Sequence, residues 1–76
     1  MKELIQTIVK PLVDFPEDVL VEAIEDESRI TYHLTVNKTD IGKVIGKQGR
    51  VAKAIRTVVY AAGSSQQKKI FLEIGE

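Results

Sequence analysis

The order of helical and extended patterns in the sequence predicts an α+β fold with the succession α-β-β-α-α-β. Three observations carry this prediction. Residues 2–13 repeat apolar side chains at helical spacing, residues 29–37 alternate apolar and polar side chains, and two further helical patterns meet across a turn at residues 46–49. A strand followed by a helical crossover and another strand forms a right-handed parallel unit. The predicted sheet is therefore mixed, with three strands in the order 1-2-3, strands 2 and 3 parallel, and three helices on one face.

The length and composition indicate one small domain that spans residues 1–76. Hydrophobic residues make up 43% of the chain, which is enough for a single core. A domain of this size buries only about 60% of its unfolded surface, so association with a partner is expected to help it. The sequence contains no cysteine, does not begin like a signal peptide and lacks the apolar run of ~20 residues that a membrane span needs. We therefore expect a cytoplasmic protein that does not bind membranes.

The first helix is predicted over residues 2–13, because its apolar side chains recur three and four positions apart. These side chains are Leu4, Ile5, Ile8, Val9 and Leu12. Pro11 lacks a backbone donor and clashes with the preceding turn, so a kink or break is expected near it. Residues 14–18 are predicted to form a turn, with Phe15 packing against the end of the helix.

Two strands are predicted to follow and to pair as an antiparallel hairpin. Residues 19–25 are rich in β-branched side chains, and a short acidic turn separates them from residues 29–37. In the second strand the side chains expected to face the core are Ile30, Tyr32, Leu34 and Val36. A last strand is predicted over residues 70–74, with Ile70, Leu72 and Ile74 on one face.

The second predicted helix is short and lies directly before the glycine turn. Thr39 or Asp40 is expected to cap its start with a side chain, and Gly46 is expected to end it. The residues expected on its buried face are Ile41, Val44 and Ile45.

The third predicted helix is longer and starts after Gly49. It is expected to end at Gly63, ahead of a loop at residues 64–67. Its predicted inner stripe consists of Val51, Ala54, Ile55, Val58 and Ala62. Tyr60 lies on another face, where it could serve a partner surface.

The formal net charge is zero, but the charges are segregated along the chain. Residues 1–28 hold two basic and eight acidic side chains, whereas residues 29–69 hold nine basic side chains and a single acid, Asp40. This distribution favours a basic surface in the middle of the chain, where an anionic partner would bind. Solubility charge that happens to cluster is the alternative, and the coincidence of the basic residues with the glycine turn argues against it.

The segment from Val44 to Ile55, with Gly46-Lys47-Gln48-Gly49 at its centre, resembles the core signature of the KH domain and its GXXG loop. The order of the elements is similar to the bacterial type II KH arrangement, and the resemblance covers the whole chain, as in small stand-alone bacterial KH proteins. It implies an RNA-binding protein whose loop clamps the backbone of about four nucleotides of single-stranded RNA. It also implies a homodimer, a complex with a second KH-containing protein, and a role as an RNA chaperone or post-transcriptional regulator, connected in some bacteria with cell shape and envelope homeostasis.

The chemistry of the loop residues suits the RNA-binding role that this resemblance implies. Gly46 and Gly49 allow positive φ and a close approach of the backbone to sugar and phosphate. The helix that starts after Gly49 has a dipole that favours an anion at this end. Lys47 adds a positive charge, and Gln48 adds donors and an acceptor without repelling phosphate.

Charged and aliphatic residues beside the loop are expected to complete the site. The cations are Lys43, Arg50 and Lys53. Lys53 either extends the basic path or is an ordinary solvated helix residue. Ile41 and Val44 are expected to form an aliphatic floor against which bases lie. Core packing is the alternative role for such residues, and it is expected more for Ile45 and Ile55 than for Val44.

Other binding functions fit the sequence less well. A Walker A phosphate loop needs four residues between its glycines, whereas Gly42 and Gly46 are separated by three, and Gln48 stands where a Ser or Thr must bind magnesium. A helix-turn-helix DNA reader shares the glycine turn, but the flanking strands and the short first helix favour KH. A protein-interaction module, using the apolar stripe or the face around Tyr60 without touching RNA, is the alternative function.

No catalytic, metal-binding or cofactor-binding residues are expected. The only histidine, His33, lies on the outer side of a predicted strand, and the acids crowd the N-terminal third without a partner nucleophile. The sequence therefore predicts a binding protein and not an enzyme. The aromatic residues form no evident stacking platform, so no base preference is predicted.

Overall fold

A mixed three-stranded sheet forms one layer of the protein, in a computed structural model that describes residues 1–63 and 68–75. The strands are β1 (Leu20–Glu25), β2 (Arg29–Thr35) and β3 (Lys69–Gly75), and the helices are α1 (Lys2–Val9), α2 (Ile41–Ile45) and α3 (Arg50–Ala62). β1 pairs with β2 antiparallel and β2 pairs with β3 parallel, in the order β1-β2-β3. The predicted α+β fold, with helices on one face of the sheet, is confirmed. Among the described helices, none is long and apolar enough to cross a membrane.

The strand bounds lie within two residues of their predicted positions. β2 ends at Thr35, whereas the alternating pattern continues to residue 37, and β3 extends one residue beyond the prediction at each end. The loop predicted at residues 64–67 lies outside the described residues.

A tight turn with an acidic side chain joins β1 to β2. The Asp26 carboxylate accepts hydrogen bonds from the backbone amides of Ser28 and Arg29, both at 2.8 Å. These bonds, with that from Ser28 foremost, hold the pKa of Asp26 below its ordinary value of 3.8. The pairing places Val21 opposite Leu34, so both side chains point into the core.

Helix α1 ends earlier than the sequence predicts. It stops at Val9, and Lys10–Leu12 forms a single 3₁₀ turn that contains Pro11. The break confirms the expected effect of proline, which cannot donate the next helical hydrogen bond. The expectation that Phe15 packs against the helix end is wrong, because its side chain is exposed. Its backbone amide is anchored instead, to the carboxylate of Asp40.

The core lies between the sheet and the helices. Its buried residues are Ile5, Val9, Val19, Val21, Tyr32, Leu34, Val36, Val44, Ile55, Val59 and Leu72. The alternation predicted for β2 is confirmed, because Tyr32 and Leu34 are both buried. Ile30 is the exception on this face, since it packs against the core but is only partly buried.

Helix α3 turns a different face to the sheet than its apolar pattern predicts. Ala52, Ile55 and Val59 are its buried residues. The exposed members of the predicted inner stripe are Ala54, Val58 and Ala62. The apolar arc of α3 is wider than the sheet alone needs, so one part packs on the core and another part faces α1.

Candidate nucleic-acid interface

Residues Gly46–Gly49, the glycine loop, connect α2 to α3. Three of these residues have positive φ: Gly46 (76°), Gln48 (58°) and Gly49 (73°). The Gly49 amide donates to the Gly46 carbonyl at 3.1 Å, and the Gly46 amide donates to the Gly42 carbonyl at 2.8 Å. The positive φ expected at both glycines is confirmed. Gln48 shares the left-handed region, which a residue with a side chain enters only at an energetic cost.

The two glycines of the loop are needed for different reasons. At Gly46 a β-carbon would lie 2.3 Å from Cγ2 of Val51 and 2.9 Å from its backbone nitrogen, so the loop packs directly on the first turn of α3. At Gly49, apart from its chain neighbours, no heavy atom of the described chain lies within 4 Å of such a carbon. The backbone of Gly49 is therefore open to an approaching ligand, whereas that of Gly46 is closed on its inner side.

The N-terminus of α3 begins directly after this open backbone. Gly49 precedes Arg50, the first residue of a 13-residue helix, and has no side chain that could cap it. The helix dipole places partial positive charge at this end, which stabilises an anion. An anion that reaches Gly49 therefore also meets the positive end of α3.

Three exposed cations belong to the loop and the first turn of α3, namely Lys47, Arg50 and Lys53. The Arg50 guanidinium donates a hydrogen bond of 3.4 Å to the side-chain oxygen of Gln48. Within residues 1–63 and 68–75, no carboxylate lies within 4 Å of these three cations. Their charge is therefore available to attract a phosphate group.

The ammonium group of Lys43, in contrast, is paired with carboxylates. It donates to Oδ2 of Asp14 and lies 3.8 Å from Oδ1 of Asp40. The hydrogen bond with Asp14, aided by the charges of both acids, raises the pKa of Lys43 above its ordinary value of 10.5. Lys43 precedes the loop as expected from the sequence, but its positive charge is compensated.

Asp40 is fully buried, with 0% of its surface exposed, and holds two distant chain segments together. Its carboxylate accepts hydrogen bonds from the backbone amides of Asp14 and Phe15, both at 3.1 Å. The expected cap of α2 by Thr39 or Asp40 is wrong, and the Asn37 side chain accepts from the Thr39 amide at 2.9 Å instead. Sequence reasoning missed this role of Asp40, and the one available signal was its isolation as the only acid of the basic segment.

The aliphatic residues of α2 are arranged differently from the expectation. Val44 is 0% exposed, whereas Ile45, which was expected in the core, is 37% exposed. Ile41 is partly buried against the core. Because α2 has only five residues, little more than one turn, a single side-chain direction faces the core, and Val44 occupies it. The accessible aliphatic surface of α2 therefore comes from Ile41 and Ile45.

A second surface feature is an apolar groove of about 300 Å³ between α1 and α3, the α1/α3 groove. Its lining residues are Leu4, Ile8, Leu12, Val51, Ala54, Ile55 and Val58. The groove accounts for the part of the apolar arc of α3 that does not reach the sheet. Val51 links the groove to the glycine loop, because the same side chain packs beneath Gly46.

The outer side of the sheet carries His33, as the alternation predicts. Its Nδ1 lies 3.0 Å from a carboxylate oxygen of Glu73 on the neighbouring strand. In the part of the chain that the structure describes, no group of three His, Asp or Glu side chains is arranged to hold a metal ion.

A mixed sheet with helices on one face, together with a glycine loop between the second and third helices, defines a type II KH domain. Comparison with known proteins reaches a narrower class. The sequence model of the family described as "KhpA/KhpB, KH domain" matches residues 2–74. The chain therefore belongs to the KhpA/KhpB family of KH domains.

Relatives match the chain over its length. The RNA-binding protein KhpA of Listeria monocytogenes serovar 1/2a is 63% identical over 76 residues, which is 100% of both chains. The RNA-binding protein KhpA of Bacillus subtilis strain 168 is 54% identical over 74 residues, 97% of this chain and 91% of that protein. Among solved structures, Aquifex aeolicus Era bound to GDP and AlF4⁻ matches with a TM-score of 0.69 at 18% identity, covering 96% of this chain and 28% of Era. The likeness to Era is one of fold alone.

Proposed function

We propose that this protein binds single-stranded RNA and that the glycine loop holds the RNA backbone. The observation that carries the proposal is the open backbone of Gly49 at the positive end of α3, beside Lys47, Arg50 and Lys53, which form no ion pair with the described residues. The relatives named RNA-binding protein KhpA support the same ligand.

In this proposal the loop binds phosphate and carries no base preference. Gly46 keeps the loop packed on α3, and Gly49 leaves room for a sugar or phosphate against the backbone. Lys47 and Arg50 attract the phosphate charge, and Gln48 adds hydrogen bonds. Such contacts position a nucleic acid without reading its sequence.

The proposed aliphatic contact to bases involves α2. Ile41, a member of the predicted site, and Ile45 offer exposed surface, and Val44 supports them from the core. Lys53 extends the basic path along α3. Lys43 belongs to the same proposed site, although its pairing with Asp14 limits its contribution.

We further propose that the whole chain, residues 1–76, is one KH domain that acts in the cytoplasm as a binding protein and not as an enzyme. Its proposed role is that of an RNA chaperone or post-transcriptional regulator, linked to cell shape, cell-wall biogenesis and envelope homeostasis. A complex with KhpB is part of this proposal, and the name of the matching family, which joins KhpA and KhpB, supports it.

Self-association as a homodimer is proposed because one short loop offers few phosphate contacts. The α1/α3 groove supports it, since Val58 in the wall of the groove is 46% exposed and apolar surface of this kind is favourable to cover. Two linked loops would raise the apparent affinity for one RNA strand through avidity.

The test is the double substitution Lys47→Asp with Gln48→Asp, measured by fluorescence anisotropy with a labelled single-stranded oligoribonucleotide. If Lys47, Arg50 and Lys53 each contact one phosphate, a plot of log affinity against log salt concentration should have a slope of about −2 for the wild type. Each contact contributes about 0.7 to that slope. Each Asp repels phosphate, so the double variant should lose at least about tenfold in affinity, or about 1.4 kcal/mol.

The matched control places the same change of charge on α1. Lys2→Asp with Thr7→Asp alters two exposed residues outside the proposed interface and should bind RNA nearly as the wild type does. Circular dichroism must show that both variants are folded. A folded loop variant that binds RNA like the control would refute the loop as the RNA site. Self-association without any salt-dependent RNA binding would favour the protein-interaction module.

A further inference from the structure

The contact between Lys43 and Asp14 joins a cation of the proposed RNA site to an acid from a different part of the chain. Lys43 lies in α2, three residues before Gly46, and Asp14 lies in the segment between α1 and β1. Their side chains form a charged hydrogen bond. Both remain accessible, with 45% of the Lys43 side chain and 71% of the Asp14 side chain exposed.

The position of Asp14 is set by the buried carboxylate of Asp40. Asp40 accepts the backbone amides of Asp14 and Phe15, which docks this segment against the start of α2. The side chain of Asp14 is not needed for that docking, because only its backbone amide takes part. The carboxylate of Asp14 can therefore accept a hydrogen bond from Lys43, and Asp40 keeps the backbone of Asp14 close enough for this contact.

We propose that Asp14 competes with RNA phosphate for Lys43 and thereby lowers the affinity of the RNA site. The inference rests on the proposed function, since it assigns a role beside the same glycine loop. A phosphate that binds Lys43 must displace the Asp14 carboxylate or accept the repulsion of a second anion. Because the pair already neutralises the lysine, Lys43 adds little to binding that depends on unpaired charge.

Removal of the Asp14 charge should turn Lys43 into an additional phosphate contact. The gain is bounded, because Asp40 stays 3.8 Å from the ammonium group and, being buried and bonded to two amides, cannot move away. One full contact to a single strand adds about 0.7 to the salt slope, which is the upper limit of the change.

The experiment compares RNA binding by the wild type, Asp14→Asn, Lys43→Gln and the double variant, with the labelled oligoribonucleotide at 50 and 200 mM salt. Asp14→Asn should bind about fivefold more tightly than the wild type at 50 mM salt and about twofold more tightly at 200 mM. The gain shrinks because the contribution of one phosphate contact to the affinity falls about 2.6-fold between these salt concentrations. Lys43→Gln alone should weaken binding, because it leaves the carboxylate of Asp14 uncompensated beside the RNA site. The double variant should bind as the wild type does, because it lacks both the cation and the competing carboxylate.

Glu17→Gln is the matched control, because it removes the same charge from an exposed acid three residues away, for which the described chain shows no ion pair. It should leave affinity nearly unchanged. The inference is overturned if Asp14→Asn binds like the wild type, if Glu17→Gln gives the same gain, or if the double variant binds as tightly as Asp14→Asn. Absence of salt-dependent RNA binding by the wild type would overturn the proposed function itself, and the inference with it.

Discussion

Substitution of three glycines by alanine, one at a time, isolates what the geometry of the loop demands. Gly42 lies within α2, Gly46 begins the glycine loop and Gly49 ends it. At Gly42 and Gly49 an added β-carbon meets no heavy atom of the described residues within 4 Å, chain neighbours and helix backbone aside. At Gly46 it meets the side chain and backbone of Val51. Comparison of the three variants therefore separates the cost of an unfavourable backbone conformation from the cost of a steric clash.

Gly46→Ala should be the most damaging change. Its φ of 76° and ψ of 173° lie in a region that only glycine visits freely, which costs alanine about 1–3 kcal/mol. The β-carbon would also lie 2.3 Å from Cγ2 of Val51 and 2.9 Å from its backbone nitrogen, which belongs to α3 and moves only with that helix. Such overpacking costs about 1–3 kcal/mol more, so we expect a total loss of about 2–6 kcal/mol.

Gly49→Ala should cost about 1–2 kcal/mol, because its φ of 73° and ψ of 13° are left-handed, while the added β-carbon meets no close neighbour in residues 1–63 and 68–75. Gly42→Ala should stabilise the protein by about 0.5–1 kcal/mol, since alanine is the better helix former at an open helical position.

Urea unfolding followed by circular dichroism measures all three free energies of unfolding. The expected order of stability is Gly42→Ala, wild type, Gly49→Ala and then Gly46→Ala. For a domain of this size each kcal/mol corresponds to about 4–8 °C in melting temperature, so thermal scans should give the same order. Equal stability of the Gly46→Ala and Gly49→Ala variants would refute this explanation, because it would mean that a β-carbon at position 46 does not clash with Val51.

Three further outcomes are expected. Asp40→Asn should lower the free energy of unfolding, measured in urea, by about 2–4 kcal/mol, since an asparagine side chain cannot accept the hydrogen bonds from both the Asp14 and the Phe15 amides. A loss below about 0.5 kcal/mol would contradict the role of Asp40 in holding this segment. The folded pKa of Asp26 is lowered, so its contribution to stability is present above its ordinary pKa and is lost as pH falls below about 4. The melting temperature of Asp26→Asn should therefore fall less between pH 7 and pH 3 than that of the wild type. Val58→Asp should shift sedimentation at micromolar concentration toward the monomer without changing the circular dichroism, and a strictly monomeric wild type would contradict the proposed homodimer.

Local patterns were sufficient for most of the fold. The alternation of Tyr32 and Leu34 determined the inner face of β2, and the missing donor of Pro11 determined where α1 breaks. The spacing of Gly46 and Gly49 was sufficient to predict positive φ at both ends of the loop. These features depend on a residue and its near neighbours, which is the information that periodicity and backbone sterics contain.

The faces of the helices were harder to predict from sequence. In α2 the pattern made Val44 and Ile45 equally apolar, and only packing against the rest of the fold buried Val44 and exposed Ile45. In α3 the apolar pattern predicted Val58 on the inner stripe, whereas the structure exposes Val58 and buries Val59. Hydrophobicity alone does not rank such neighbours, because the choice depends on where the partner element lies.

The sequence by itself determined the order of elements, the glycine loop and the concentration of positive charge around it. Only the tertiary structure decided which of these charges are available. Asp14 and Lys43 are 29 positions apart, yet their side chains form a charged hydrogen bond. The buried Asp40 holds that segment in place through amides 25 and 26 positions away. Electrostatic interaction depends on distance in space, and a chain that folds back on itself brings together charges whose separation along the sequence gives no indication of it.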